Sequence, residues 1–496
     1  MVVDKRGRET VHIADAIVST LIVMRARVVV IVSKAVAAWR EGFGGLQSTQ
    51  DVVALTGQQV LVPFLVVPAH QLAETTILII PLQGISPFMP KCAAEMDERV
   101  SGGIKMKVCG KHFMTGEVVT LTVIDGRVSG IQAGGIETDY GNSDVWLSPG
   151  FCDLQLNGYG GYDFNINAWG APDEVSNDAR RILSLAARAG TALFCPTITT
   201  NSHEAILAAF TSLAATMEAD PILSRAVPGF HLEGPYISSE DGPRGAHPLE
   251  YVRDPNWDEF RRFQDGAGGR IKICTLAPER SGALPFITKL VTSGVVVALG
   301  HTGAEPETIR DAVRAGARLS THLGNGAHSR IARHPNYIWE QLASDELYAS
   351  VIADGNHLPP SVLKCVARAK GAERLALVSD AVSLGGLKPG LYSENRFEVL
   401  PSGKIVLAGT PYLAGAGHLL DTCVANCLHF TDLSLTQVMR SVTEVPARIL
   451  GLEARKGQLQ VGYDADLTVF QIPESGPLRI LSTISGGYQL YSRTDD

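Results

Sequence analysis

Four short stretches carry residue types able to do hydrolytic chemistry: Glu233 in "HLEGP", His301 in "ALGHTGA", His322 in "THLGNGAH" and Asp380 in "LVSDA". Each closes an apolar, strand-like run. An ionised carboxylate in such a place is costly to desolvate unless a salt bridge or a metal ion compensates it. Glu233, His301 and His322 offer one carboxylate oxygen and two imidazole nitrogens, a donor set that suits zinc, with iron and cobalt also compatible. Three protein ligands leave a position for water, whose pKa such an ion lowers towards ~7. Asp380 has the chemistry to take the water proton and later return it to a leaving amine. A lone histidine at a strand end is more often a hydrogen-bonded structural residue. Together the four residues point to a catalytic divalent metal ion, with Glu233 as one of its ligands.

The elements that must position them form a repeating pattern. Eight strand-like runs, "FCDLQL", "ALFCPTI", "GFHL", "IKICTLA", "VVVALG", "RLSTHL", "ASVIAD" and "RLALVSD", alternate with stretches long enough for a helix, such as "ARRILSLAARAG" and "PETIRDAVRAG". Eight such units predict an α/β fold, a (β/α)8 barrel, which places its chemistry at the C-terminal ends of the strands. Those ends also carry Gln155 and Asn157, Thr197, Asp354 and His357. An open doubly wound sheet is the competing topology, and the Gly-rich nucleotide fingerprint it usually carries is missing after the early strands.

The flanks read as β-structure. "KMKVCGKHFMTGEVVTLTVIDGRVSGI" and "GQLQVGYDADLTVF" alternate short β-rich runs with Gly-containing turns. The expected organisation is an unassigned apolar extension over 1–103, one part of a small β-sandwich over 104–147, and the barrel over 148–390. The second β part follows over 391–475, with late barrel-associated helices, and 476–496 is a C-terminal tail. Apolar runs within the first hundred residues are each shorter than the ~18–20 residues a spanning helix needs, so no membrane partner is expected. The net charge of −8 is spread along the chain without a basic block, which argues against a nucleic-acid partner. Eight cysteines without a CxxC pair suit a reducing, cytoplasmic setting better than a disulfide framework.

The ordered motifs "PGFCDLQLNGYGG", "HLEGPYIS", "GAHP", "TLAPE", "GHTGA", "THLGNGA", "ADGNH", "VSDA" and "LAGAGHLLD" resemble the N-acetylglucosamine-6-phosphate deacetylases, within the amidohydrolase superfamily. "EVPARILGL" and "KGQLQVGYDADLTVF" extend the resemblance, which covers roughly residues 105–475. It implies a metal-dependent barrel with a small β-sandwich, usually a homodimer, releasing acetate from the amino-sugar phosphate. It also implies roles: Glu233, His301 and His322 as metal ligands, Asp380 as acid/base, and His247 as the group that polarises the substrate carbonyl. Ala246, Asn325, Gly326, His357, Leu413, Ala414 and Gly415 match substrate contacts, and Arg333 matches an arginine that reaches the phosphate across the dimer interface. Where much of the superfamily carries His-x-His on strand 1, this chain has Gln155-x-Asn157, whose neutral amides are weak zinc ligands; one metal ion per subunit is expected. His328 and His418 receive no role.

Departures from the pattern fall around the pocket. Gly324 stands where an aromatic residue is usual, and Asn356 where an apolar residue or His is usual. Both bear on which acyl sugar is selected, because selectivity resides in pocket contacts. An amidohydrolase acting on another N-acyl amino sugar or a cyclic amide is therefore the alternative within the same chemistry. A barrel retained only for binding would be expected to have lost one of the four hydrolytic residues, and all four are present.

Overall fold

A computed structural model describes residues 105–493 apart from 136–137, 166–171, 394 and 411. The apolar extension assigned to 1–103 lies outside the described residues.

The chain enters through four strands, β1 (Lys105–His112), β2 (Val118–Ile124), β3 (Arg127–Ala133) and β4 (Tyr140–Pro149). It then runs directly into the first barrel strand, β5 (Phe151–Leu156), followed by a tight hairpin, β6 (Gly158–Tyr159) and β7 (Tyr162–Asp163). The other barrel strands are β8 (Thr191–Thr199), β9 (Phe230–Glu233), β10 (Ile271–Leu276), β11 (Val296–Leu299), β12 (Leu319–Ser320), β13 (Tyr348–Ile352) and β14 (Leu375–Val378). All eight coincide with the apolar runs. They pair in parallel in the order β14-β13-β12-β11-β10-β9-β8-β5, and a bridge between Leu156 and Ala381 joins the two ends into a barrel.

The strands read as unbroken apolar runs because both faces are covered. Outward residues such as Phe194, Phe230 and Leu299 pack under helices including His203–Ala219 and Pro306–Arg314. Inside, Cys152, Leu154, Cys195, Ile273, Ala298 and Ala376 fill the barrel, and Val445 and Ile449 join the same cluster. Glu233, His301, His322 and Asp354, buried and polar, lie at the C-terminal strand ends. Helix starts are capped as their sequences dictate: Ser202, Asn256 and Asn336 each accept hydrogen bonds from the first-turn backbone amides.

After the barrel come β15 (Gly390–Tyr392), β16 (Phe397–Val399) and β17 (Ile405–Leu407), then three helices within 420–449, then β18 (Leu467–Gln471), β19 (Arg479–Ser485) and β20 (Tyr488–Ser492). Two expectations need correction. The stretch assigned to a C-terminal tail over 476–496 holds, in its described part, β19 and β20, which extend a seven-stranded sheet ordered β20-β19-β18-β4-β1-β2-β3. Period-two apolar runs on either side of Gly486-Gly487 are a hairpin signal that fixes this. Nor do residues 391–410 join the flank sheet. β15–β17 form a separate three-stranded sheet, and a bridge from Val406 to Leu413 ties it to the segment that lines the barrel mouth.

The two flanks meet where β4 pairs with β18, Trp146 opposite Phe470 and Pro149 opposite Leu467. Beside this seam Lys456 Nζ lies 2.7 Å from Asp466 and 3.0 Å from Asp464, all three largely buried. Removing the cation leaves buried Asp466 without its counter-charge, while Asp464 keeps Arg455 at 2.7 Å. Lys456→Met is therefore expected to lose about 3–5 kcal/mol of stability, read as a lower urea midpoint at unchanged slope.

Candidate active site

Glu233, His301 and His322 meet at the C-terminal ends of β9, β11 and β12. Glu233 Oε1 is 3.2 Å from His301 Nε2 and 3.0 Å from His322 Nε2, and the two Nε2 atoms are 3.1 Å apart. His301 Nδ1 lies 2.9 Å from the Pro243 carbonyl and must donate to it, so in the neutral imidazole it is Nε2 that carries the lone pair. His247 Nε2 also lies 3.2 Å from His301 Nε2, so three imidazole nitrogens and a carboxylate oxygen meet in one place, and a cation there would be shared by Glu233, His301 and His322. The three residues are buried and their ligand atoms converge, so they fit a tetrahedral-type metal with an open position. His231, two residues before Glu233, is excluded from this role. Its nitrogens are already used by the Leu154 carbonyl at 3.1 Å and Thr275 Oγ1 at 2.7 Å.

The backbone is strained where the chemistry sits. His301, His322 and Asp380 have φ of 51°, 30° and 47°, left-handed values that cost a side-chain-bearing residue about 1–3 kcal/mol each. Gly326 explains one glycine of the site: a Cβ there would lie 2.7 Å from His301 Nδ1, in a left-handed conformation of φ 54°.

Asp380 is held by the two amides of β5 and the loop that follows. Asn157 Nδ2 donates to its Oδ1 at 2.8 Å, and Gln155 Nε2 lies 3.1 Å from the same oxygen and 2.9 Å from Glu233 Oε1. These amides point their N–H groups at the carboxylates and are donors here. Burial and then the charge of Glu233 push Asp380 up to about 6. Burial also acts to raise Glu233, but His301 and His322 outweigh it and hold that carboxyl well below its usual range. Two carboxyls pushed apart in this way suit a fixed anion and a proton acceptor. His247 is held neutral, its pKa lowered to about 3 by burial and then by His301, and its Nδ1 is 2.8 Å from Thr200 Oγ1.

A cleft of about 340 Å³ opens over these groups. The matching region of the amidohydrolase family model spans residues 146–488. The chain belongs to the amidohydrolase family. Among its relatives, the N-acetylglucosamine-6-phosphate deacetylase of Bacillus subtilis (strain 168) is 31% identical over 370 residues, 73% of this chain and 90% of that protein. The enzyme of the same name from Bos taurus is 37% identical over 332 residues, 65% of this chain and 79% of that protein. A solved variant of N-acetyl-D-glucosamine-6-phosphate deacetylase from Mycobacterium smegmatis, in complex with N-acetyl-D-glucosamine-6-phosphate, superposes with a TM-score of 0.69 at 28% identity. It covers 79% of this chain and all of that one.

In this amidohydrolase the cleft is lined by Glu233, His301, His322, Asp380, His247, Ala246, Asn325, Gly326, His357, Leu413, Ala414 and Gly415. Arg333 is the exception. It is exposed, beyond β12, and does not line the cleft. His357 has its Nδ1 2.9 Å from Asp354 Oδ2, which leaves Nε2 for the cleft. Asp163, Asn165 and Thr199 also line it and carry no motif that marks them. They come from the β6–β7 hairpin and the end of β8, where Asn165 Oδ1 accepts from the Thr199 amide at 2.8 Å. The one available signal is the polar "DFN" directly after a Gly-rich turn.

Among the described residues no helix is long and apolar enough to cross a membrane.

Proposed function

We propose that this chain hydrolyses the acetamide of N-acetyl-D-glucosamine 6-phosphate to D-glucosamine 6-phosphate and acetate, as an amino-sugar catabolic enzyme. The observation that carries the reading is the convergence of Glu233 Oε1, His301 Nε2 and His322 Nε2 beside a separately held Asp380. A divalent cation on those three atoms, zinc in this proposal with iron or cobalt as substitutes, would supply the Lewis acidity that makes water nucleophilic near neutrality. Asp380 takes a proton from the attacking water and delivers it to the amide nitrogen as the C–N bond breaks. Asn157 and Gln155 hold its carboxylate in one orientation throughout, and as donors they support a single metal ion per subunit. Thr200 can give its hydroxyl proton to His247 Nδ1, which leaves Nε2–H to donate to the carbonyl oxygen as negative charge develops there.

The sugar lies across Ala246, Asn325, Gly326 and the Leu413–Gly415 backbone in this reading, with His357 towards the phosphate. Arg333 supplies the second phosphate contact from the partner in a homodimer. Support for an interface there comes from its exposure and from the exposed apolar Ile331 and Trp339 near it in the chain. A reducing, cytoplasmic setting agrees with the described cysteines, all of them free and all but Cys365 buried.

The test is acetate release from N-acetylglucosamine 6-phosphate and from N-acetylglucosamine, side by side. The phosphate ester is expected to be preferred by at least ~100-fold in kcat/KM, from charge-assisted hydrogen bonds to the dianion. Arg333→Ala is expected to lose most of that preference through KM. Equal rates on the two sugars would remove the phosphate from the proposal, and an unaffected Arg333→Ala would remove the partner's arginine.

A further inference from the structure

His328 carries no role in the motif pattern, yet it occupies a constructed position between three of the loops that crown the barrel. Its backbone amide donates to the Tyr337 hydroxyl at 2.9 Å, and its Nδ1 is 3.0 Å from the same oxygen. The hydroxyl accepts from the amide and gives its own proton to Nδ1. That leaves Nε2–H to donate to Glu240 Oε2, 2.9 Å away in the loop after β9.

Two glycines make room for this contact. A Cβ on Gly303, after β11, would lie 2.7 Å from His328 Cε1, 3.5 Å from Pro243 Cγ and 3.6 Å from Glu240 Oε2. A Cβ on Gly242 would lie 3.0 Å from His328 Cα. The histidine ring, the proline ring and the glutamate head therefore converge over a position that only glycine leaves open. Gly303 is itself pinned, its amide donating to Glu279 Oε1 at 2.9 Å.

The segment held in this way matters to the site. Pro243, next to Gly242, supplies the carbonyl that accepts from His301 Nδ1, and His247 stands four residues further on. Partners of this kind fix the orientation of a ligating imidazole, and their loss commonly weakens metal binding 10–100-fold. We propose that His328, with Glu240 and Tyr337, is a positioning clamp that holds the 240–247 loop so that the Pro243 carbonyl orients His301 and His247 faces the cleft. The catalytic part of this inference rests on the hydrolytic reading above; the part concerning His301 does not.

The experiment measures zinc affinity by chelator competition, kcat and KM on N-acetylglucosamine 6-phosphate, and the thermal midpoint, for wild type, His328→Ala, Glu240→Ala and the double variant. Expected are a roughly 10-fold weaker zinc affinity and a roughly 10-fold lower kcat in each single variant, with KM within about twofold. The double variant should be little worse than either, because both remove the same contact. Glu240 is largely exposed, so Glu240→Ala removes the acceptor of His328 Nε2–H and tests the clamp even where His328→Ala folds poorly. Unchanged zinc affinity in folded Glu240→Ala overturns the clamp, as do effects that simply add in the double variant. Losses that follow a falling thermal midpoint alone overturn it too, since they would mark a merely structural contact. If wild type releases no acetate, the functional reading fails while the zinc measurements still decide the His301 part.

Discussion

Asp380→Asn is expected to lower kcat on N-acetylglucosamine 6-phosphate by about 10²–10⁴-fold, the range general acid–base groups supply. The substitution keeps the shape of the side chain and its place beside Asn157 Nδ2 and Gln155 Nε2, but removes the carboxylate proposed to take a proton from water and give it to nitrogen. KM should change little, because the role proposed for Asp380 is at the reacting atoms and not at the phosphate or the sugar hydroxyls. Metal content should also stay at the wild-type level, since Asp380 is outside the Glu233–His301–His322 group. A variant that kept full kcat would transfer the proton-transfer role elsewhere in the cleft. One that lost its metal would make Asp380 a ligand.

Glu233→Gln is expected to fail at the earlier step of holding the metal. Glu233 supplies the only anionic oxygen of the ligand set, buried and shared with both imidazoles. An amide of the same size removes the charge and can turn its N–H groups toward His301 and His322, whose lone pairs would accept them. The metal dissociation constant should rise by more than about 100-fold, beyond what outer hydrogen-bond partners alone contribute. The protein should remain folded, because the isosteric amide still fills the space between β9 and its neighbours. Elemental analysis after dialysis, with circular dichroism on the same sample, reads both consequences. Retention of a full metal complement would remove Glu233 from the ligand set.

Much of the barrel is legible in the sequence because its strands are covered on both faces. "FCDLQL" and "RLALVSD" read as continuous apolar runs for the same physical reason that β5 and β14 are wholly buried. The polar residues that end the runs stand out against that background, and among them the donor chemistry of Glu233, His301, His322 and Asp380 separates these four from Gln155, Asn157, Thr197, Asp354 and His357. Residues that act by direction are harder to read. Gln155 and Asn157 can be seen as poor ligands, but that their N–H groups face Asp380 depends on contacts more than two hundred residues away in the chain.

Local pattern and tertiary context also diverge at the edges. The hairpin of β19 and β20 hides behind a position near the C-terminus, although its alternation and Gly486-Gly487 turn are ordinary. β15–β17 have the composition of the flank strands, and nothing local says that they pair only with one another. His328 shows the same limit from the other side. Its neighbours in sequence give no reason to notice it, because Glu240, Gly242 and Gly303 reach it from other loops.

The central claim is that one metal ion, held by Glu233, His301 and His322, makes this cleft a deacetylase. The most direct test titrates zinc into metal-free protein while following acetate release from N-acetylglucosamine 6-phosphate. Activity that rises in proportion to zinc and levels off at one equivalent per chain is the expected result. Activity that needs two equivalents, or that is complete without added metal in demonstrably metal-free protein, would contradict it.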